Sequence, residues 1–344
     1  MAKNGRAPSE GTAPSGVELG GNGLSKERVA DIQRARMLSA MVEVVAERGF
    51  PNVTVAHVVT RSGVSRRTFY ELFADRDGCL LAALDEAIAC ASAYVVPAYR
   101  SGGSWAEGTR LGLAALLSFL DIERNVGRLL VVESLGAGPV VLERRQRALA
   151  EMIAAVDAGR CEGKGASAPP ALTAEGIVGA VLSVIHARIT QGEPRPLLEL
   201  LNPLMSMVVM PYLGPAAAHR EIERPAPKPS APERNAMGDP LRDLGMRLTY
   251  RTVCVLLSVA GTPGASNREI GLAAGIADQG QISKLLSRLE GLGLLQNSGL
   301  APGKGAPNSW MLTERGVQVE RAMSADAGAR GQRAGGDAPH RSRR

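Results

Sequence analysis

The stretch TVAHVVTRSGVSRRTFYELF, residues 54–73, predicts two short helices joined by a tight turn. Thr54 and Ser65 each stand immediately before an apolar run, where a hydroxyl oxygen can cap the free backbone N–H groups at the start of a helix. Gly63 lies between the two runs, and glycine adopts the positive φ of a tight turn without steric cost. The stretch therefore predicts a helix-turn-helix.

The two short helices are expected over 55–62 and 66–73. A longer helix is predicted in front of this pair. It should cover 31–48 and end near Gly49, because apolar residues recur there at helical spacing. These residues are Leu38, Met41, Val42 and Val45. A supporting helix followed by two short helices has the plan of a DNA-binding head.

The second short helix has the side chains of a DNA reader. Arg66, Arg67, Thr68 and Tyr70 lie at and near its N-terminal end, and no acidic residue precedes Glu71. Arginine can read guanine edges, threonine can contact a thymine methyl group, and tyrosine can bind phosphate. From these features alone, a basic surface helix on a helical bundle stays open as the alternative.

Residues 34–80 resemble the N-terminal domain of the TetR family of repressors. The resemblance rests on the stretch quoted above, and above all on Thr68-Phe69-Tyr70 with Phe73. It implies a three-helix DNA-binding head, a helical body for ligand binding and dimerisation, and release from DNA when a small molecule binds. The residues expected to contact DNA are Thr54, Ser65, Arg66, Arg67, Thr68, Tyr70 and Arg76.

One departure from the family pattern follows Phe73. The family often has a lysine soon after this phenylalanine, whereas this chain has Ala74-Asp75-Arg76-Asp77. We expect Asp75 or Asp77 to cap the fourth helix and Arg76 to take over the contact with the DNA backbone.

Residues 78–213 contain long apolar stretches at helical spacing. By resemblance, the last two helices, about 172–190 and 195–212, form a four-helix dimer interface with a second subunit. Periodicity does not separate such an interface from ordinary core, so both interpretations stay open. The interface candidates are Ile177, Val181, Val184, Ile185, Leu197, Leu201, Met205 and Val208.

A ligand pocket in this body would be lined by apolar side chains with a few polar anchors. For each anchor candidate a role in the core is the competing interpretation, and the sequence does not identify the effector. No nucleophile, base and orienting group stand out together, so an enzyme with a DNA-binding head has no positive support. The anchor candidates are Tyr94, Tyr99, Trp105, Arg128, Glu133 and His186.

Residues 246–322 predict a second helix-turn-helix, followed by a hairpin. Ser266-Asn-Arg-Glu269 is a capping box, Gly275 supplies the turn, and Asp278 caps a longer helix. The segment resembles a MarR-type winged-helix domain, which binds DNA or serves as a protein-protein or dimerisation module. If it reads DNA, the contacts are expected from Gln279, Gln281, Lys284, Ser287, Arg288 and the wing-tip residue Lys304.

Composition agrees with a soluble, mainly helical protein of several domains. Aromatic residues make up only 3% of the 344 residues, so leucine, valine, alanine, methionine and isoleucine must build the cores. The net charge of +6 is concentrated at the two ends of the chain. The four cysteines form no C-x-x-C pair, and no apolar run reaches the length of a membrane span, so we predict a cytoplasmic protein without metal or cofactor.

The sequence thus predicts a TetR-like head and helical body followed by a small winged-helix domain. The expected function is a small-molecule-responsive repressor that binds an inverted-repeat operator in double-stranded DNA as a homodimer. The predicted domains are a disordered arm (1–27), the head (28–77), the ligand-binding and dimerisation body (78–213), a proline-rich linker (214–239), the winged domain (240–322) and a disordered basic tail (323–344).

Overall fold

The computed structural model describes residues 26–162, 169–191, 195–225, 250–276, 278–299 and 308–321. The chain divides into two compact units, of which the first includes Lys26–Tyr250 and the second includes Arg251–Val317. The first unit is helical, and the second adds a small sheet to its helices.

The helices of the first unit follow one another with short connections. They are α1 (Lys26–Arg48), α2 (Val55–Ser62), α3 (Arg66–Leu72), α4 (Arg76–Arg100), α5 (Trp105–Ile122), α6 (Arg124–Val131), α7 (Pro139–Asp157), α8 (Thr173–Thr190), α9 (Leu201–Leu213) and α10 (Pro215–Glu223). Single turns of 3-10 helix occur at Phe50–Asn52, Glu133–Leu135, Ala158–Cys161 and Leu197–Leu200.

Side-chain caps set the boundaries of the head helices. The hydroxyl of Thr54 accepts the N–H of His57 at 3.3 Å, and that of Ser65 accepts the N–H of Thr68 at 3.0 Å. Gly63 adopts the turn conformation at φ 66°. These contacts confirm the two predicted short helices, although α3 ends one residue before the predicted limit.

The structure changes the predicted start of α1 and identifies the residue that caps α4. Helix α1 begins at Lys26 instead of residue 31, because residues 26–30 are mostly good helix formers and the apolar stripe marks only the buried part of the helix. Of the two aspartates considered as caps, Asp75 is the one that caps α4, and its carboxylate accepts the N–H of Gly78 at 2.7 Å.

One continuous apolar core joins the head helices to the body. It runs from Met37 on α1, through Phe69 on α3, to Ala218 on α10. Helix α4 is long and apolar enough to span a membrane by length and composition. Here it packs against α1, α5, α6 and α7, and its buried side chains, such as Leu80 and Leu84, belong to the protein core.

Helix α10 corrects the prediction that 214–239 is an extended linker. Pro215 occupies the first turn, where a proline is tolerated because that N–H has no intrahelical partner in any case. Ala217, Ala218 and Glu221 are buried. The helical body therefore extends past residue 213, and residues 226–249 lie outside the described residues.

The predicted dimer-interface residues are mostly core residues of this chain. Of the eight, only Val184 is exposed, with 39% of its surface accessible. Helix α8 turns a different face outward, which we call the α8 face: Gly176, Gly179, Ala180, Ser183 and Val184. The buried candidates are Ile177, Val181, Ile185, Leu197, Leu201, Met205 and Val208.

The second unit contains α11 (Tyr250–Gly261), α12 (Asn267–Ala273), α13 (Gln279–Gly291), β1 (Leu295–Asn297), β2 (Trp310–Leu312) and a helix that begins at residue 314. Strands β1 and β2 pair antiparallel, with Leu295 opposite Leu312 and Asn297 opposite Trp310. The hairpin tip, residues 300–307, lies outside the described residues.

The predicted helix caps of this unit are present. Ser266 and Glu269 form the capping box, and the hydrogen bonds from Ser266 hold the pKa of the Glu269 carboxyl below its usual range. Gly275 has φ 66°, and Asp278 accepts the N–H groups of Gly280 and Gln281. These caps fix the angle at which α13 leaves the turn.

Candidate functional sites

Helix α3 presents a polar face to solvent. Phe69 is fully buried, whereas Arg66, Arg67 and Tyr70 are exposed, and 51% of the Tyr70 surface is accessible. Arg67 donates from Nε to Oε1 of Glu71 at 2.8 Å, in a pair that is open to water. An exposed pair of this kind contributes little to stability, so Arg67 can exchange Glu71 for another acceptor.

Two of the predicted DNA-contacting hydroxyls already hold helix starts. Thr54 is exposed and caps α2, while the hydroxyl groups of Ser65 and Thr68 hydrogen-bond to each other at 2.8 Å. Ser65 and Thr68 therefore lie at the start of α3 beside Arg66 and Arg67, whereas Thr54 lies at the start of α2.

Arg76 has contacts within its own domain. It donates from Nη1 to the carbonyl of Val53 at 2.9 Å and from Nε to Asp77 at 3.0 Å. Its guanidinium group also lies over the Phe50 ring, 4.5 Å from the centroid. Arg76 thus ties the start of α4 to the turn after α1, and its proposed contact with the DNA backbone would compete with these bonds.

Glu133 joins the head to the body. Its Oε2 accepts the backbone N–H of Phe50 at 3.3 Å, and its Oε1 accepts from Nε of Arg128 at 3.2 Å. Both residues were predicted as ligand anchors, but they lie at this joint and do not line the main cavity. The contact spans 83 positions in sequence, so it could not be read from local patterns.

A cavity of about 270 Å³ lies inside the body. Helices α4, α5, α7 and α8 form most of its wall, with Leu130 and Val131 of α6 and Val208 of α9 completing it. The lining is almost entirely apolar, as in a binding site for a small hydrophobic molecule. Among the described residues, no group of three or more His, Cys, Asp or Glu side chains is placed to hold a metal ion.

Only one of the six predicted ligand anchors lines this cavity. That residue is Tyr99, whose hydroxyl donates to the carbonyl of Ala155 at 3.4 Å. Tyr94 packs on Phe119, and Trp105 packs on Tyr212. The rings of Tyr94 and Trp105 therefore contribute to the packing of the core. His186 lines a neighbouring pocket.

Four polar residues in the cavity wall, Ser92, Thr109, Arg145 and Glu151, were missed from the sequence. The Oγ1 atom of Thr109 is buried and has no hydrogen-bond partner, and Arg145 projects among apolar residues of α7. A signal for Arg145 was present, since it stands four, seven and eleven positions before Leu149, Met152 and Val156. A cation within an apolar helical stripe is a candidate for a buried anchor.

Helix α13 of the second unit also has a polar outer face. Gln279, Gln281, Lys284, Ser287 and Arg288 are exposed, and Ile282, Leu286 and Leu289 face inward. The side chain of Gln281 accepts from Nη1 of Arg251 at 2.6 Å. Lys304 lies outside the described residues.

A family model described as "Bacterial regulatory proteins, tetR family" matches residues 37–83. The matched segment covers α2 and α3 with most of α1 and the first part of α4. A comparison with curated proteins gave no match.

Solved structures of similar fold each cover about half of this chain. The fatty acid degradation regulator FadR from Bacillus halodurans is 15% identical, with 51% of this chain and 96% of that chain covered and a TM-score of 0.46. FadR from Bacillus subtilis, in complex with stearoyl-CoA, is 17% identical, with coverages of 51% and 96% and a TM-score of 0.45. A TetR family transcription regulator from Marinobacter aquaeolei VT8 is 22% identical, with coverages of 53% and 96% and a TM-score of 0.44.

Proposed function

We propose that this chain, whose residues 37–83 are a TetR-family DNA-binding domain, is a transcription regulator that binds DNA and responds to a small molecule. The observation that carries the proposal is the exposed face of α3, with Arg66, Arg67 and Tyr70 on a helix whose other side is anchored by buried Phe69. Such a helix can enter the major groove without disturbing its own core. The proposal places the protein in the cytoplasm and assigns it no catalytic role.

A homodimer on an inverted-repeat operator is the second part of the proposal. A two-fold symmetric protein matches a two-fold symmetric DNA site. The α8 face supports it, because its two glycines, Gly176 and Gly179, have open space around them and allow a second helix to approach closely. Met210 is exposed as well, on α9, a helix that contacts α8.

Repression with release by an effector is the third part. Val131, near the end of α6, lines the cavity, and the following turn carries Glu133, which holds the backbone of Phe50. A ligand that moves α6 would therefore act on the head through this hydrogen bond. The ligand can shift the head only by binding its two arrangements with different affinity.

Substitutions in α3 test the DNA-binding role. We expect Arg67→Ala and Tyr70→Ala each to weaken operator binding by about 1–3 kcal/mol, because each removes a base or phosphate contact while the buried side of the helix stays intact. The operator is obtained by selection from random duplexes with the full-length protein. Affinity is then measured by fluorescence anisotropy at one stated salt concentration.

Arg147→Ala is the matched control for Arg67→Ala. Arg147 is also an exposed arginine paired with a glutamate four positions away, but it lies on α7 in the body. We expect its removal to leave DNA affinity unchanged. If both α3 variants bind the operator with unchanged affinity, α3 does not contact the DNA.

The second unit is proposed as a further DNA-contacting domain of winged-helix type. Support comes from the order of its elements, with α12, turn and α13 followed by an antiparallel hairpin, and from the polar outer face of α13. A protein-binding role is the second candidate. It is favoured by Leu272 on α12, which is 85% exposed, and by the partly exposed Met311 on β2.

Removing residues 239–344 separates these two roles. If the second unit binds DNA, the truncated protein should protect a shorter region and show a flatter salt dependence, since each lost phosphate contact lowers the slope by about 0.9. Nuclease footprints and affinities at several salt concentrations measure both. An identical footprint and salt slope would instead assign the second unit to a protein partner.

A further inference from the structure

The cationic side chain of Arg145 forms part of the mostly apolar wall of the main cavity. It lies on α7 and lines the main cavity together with Leu149 and Met152 of the same helix. Its side chain is only partly accessible to solvent. By contrast, the buried Arg110 and the half-buried Arg128 are each held by a carboxylate of the chain.

No acidic partner from the described residues balances Arg145. None of their carboxylate oxygens lies within 4.0 Å of its nitrogens, and burial lowers the pKa of its guanidinium group with no carboxylate to raise it again. A partly desolvated charge without a partner is unfavourable, and a bound anion would relieve that cost.

Two glutamates limit the charge that such an anion can carry. Glu151 lines the main cavity, and Glu175 lines the neighbouring pocket that also includes Arg145. Both are exposed to solvent. Their negative charges oppose additional anionic groups, so one cation, Arg145, is matched best by a ligand with one negative charge.

The shape of the cavity restricts the rest of the ligand. Its wall follows α7 from Arg145 to Ala155, ten residues that rise about 15 Å along the helix. An elongated apolar group can extend along this wall away from Arg145.

We propose that the cavity binds an aliphatic monocarboxylate, the carboxylate pairing with Arg145. The planar guanidinium group can donate two parallel hydrogen bonds to a carboxylate. The chain lies among apolar side chains of α4, α5, α7 and α8, including Leu113, Leu116 and Val178. That this ligand acts as the effector rests on the proposed regulatory function.

The far end of the cavity contains the buried hydroxyl of Thr109. Thr109 follows Gly108, which packs against the backbone of Tyr99, and the Tyr99 hydroxyl bonds to Ala155. Thr109 therefore belongs to the Ala155 end of the cavity, about three helical turns from Arg145. In this orientation, the hydroxyl faces the methyl end of the ligand.

Calorimetry on the full-length protein without DNA tests the proposal. Sodium decanoate, at concentrations below those at which it forms micelles, is expected to bind, whereas decanamide should bind at least 10-fold more weakly. Arg145→Met should weaken decanoate binding about 10- to 100-fold, the loss expected for a charge-assisted hydrogen bond. Arg145→Lys should keep part of the affinity, and Thr109→Val should keep or increase it because no hydroxyl is left buried beside the chain end.

Three results would overturn the proposal. They are equal binding of decanoate and decanamide, unchanged affinity in Arg145→Met, and weaker binding in Thr109→Val, which would place the carboxylate at the Thr109 end. Circular dichroism is used to check that each variant is folded.

DNA binding is measured separately, so failure of this proposal and failure of the regulatory function can be told apart. If decanoate does not bind while the protein retains an operator affinity that depends on Arg67, the ligand class is wrong and the DNA-binding function stands. If decanoate binds as expected but leaves operator affinity unchanged, the site assignment stands and the effector role is wrong.

Discussion

Replacing Glu221 with alanine is expected to lower the free energy of unfolding by about 3–5 kcal/mol. Glu221 on α10 accepts from Nη1 of Arg110 on α5 at 2.7 Å, and less than a tenth of either side chain is exposed. The second terminal nitrogen of Arg110 donates to Asn202 on α9 at 2.6 Å. Removing Glu221 leaves the arginine charge buried with only an amide partner, which is the cause of the loss.

This loss of unfolding free energy is large for a single substitution. Domains are stable by only about 5–15 kcal/mol, so the variant loses a substantial part of the total. The measurement is equilibrium denaturation by urea at equal protein concentrations, because association would otherwise change the apparent stability.

The double variant Arg110→Met with Glu221→Met is the control. It removes both charges and fills the same space with apolar side chains, so its stability should return to within about 1 kcal/mol of the wild type or exceed it. If Glu221→Ala unfolds at the same urea concentration as the wild type, the ion pair does not hold α10 on the body.

Replacing Ala180 with arginine is expected to convert the proposed dimer to folded monomers. Ala180 lies at the centre of the α8 face, where a long charged side chain would prevent close approach of a second helix. Monomers lose the advantage of two linked heads, so affinity for an inverted repeat should fall by about 10²- to 10⁴-fold. Sedimentation at micromolar concentration and anisotropy on the operator measure the two effects.

Ala150→Arg is the matched control for this substitution. It introduces the same side chain at an exposed position of another body helix, α7, and should leave both the dimer and its DNA affinity unchanged. Val181→Arg, by contrast, should unfold the protein, because Val181 is buried in the core of its own chain. A wild-type protein that sediments as a monomer would contradict the proposed interface.

Short-range patterns in the sequence were sufficient for the helix-turn-helix of the head and for the caps of the second unit. The hydroxyl groups of Thr54, Ser65 and Ser266 cap helices within three residues of themselves, and Gly63 and Gly275 form the turns between paired helices. These features depend on neighbours along the chain, so residue type and spacing alone determine them.

Tertiary structure decided which apolar face belongs to the core and where polar side chains find partners. Helix α8 has Val181 and Ala180 at adjacent positions, and only packing against the other helices shows that Val181 is buried and Ala180 exposed. The proline count suggested a linker after residue 213, yet α10 folds back because Glu221 meets Arg110, 111 positions away. Such contacts join residues that are distant in sequence, and the cavity around Arg145 exists only once four helices have been brought together.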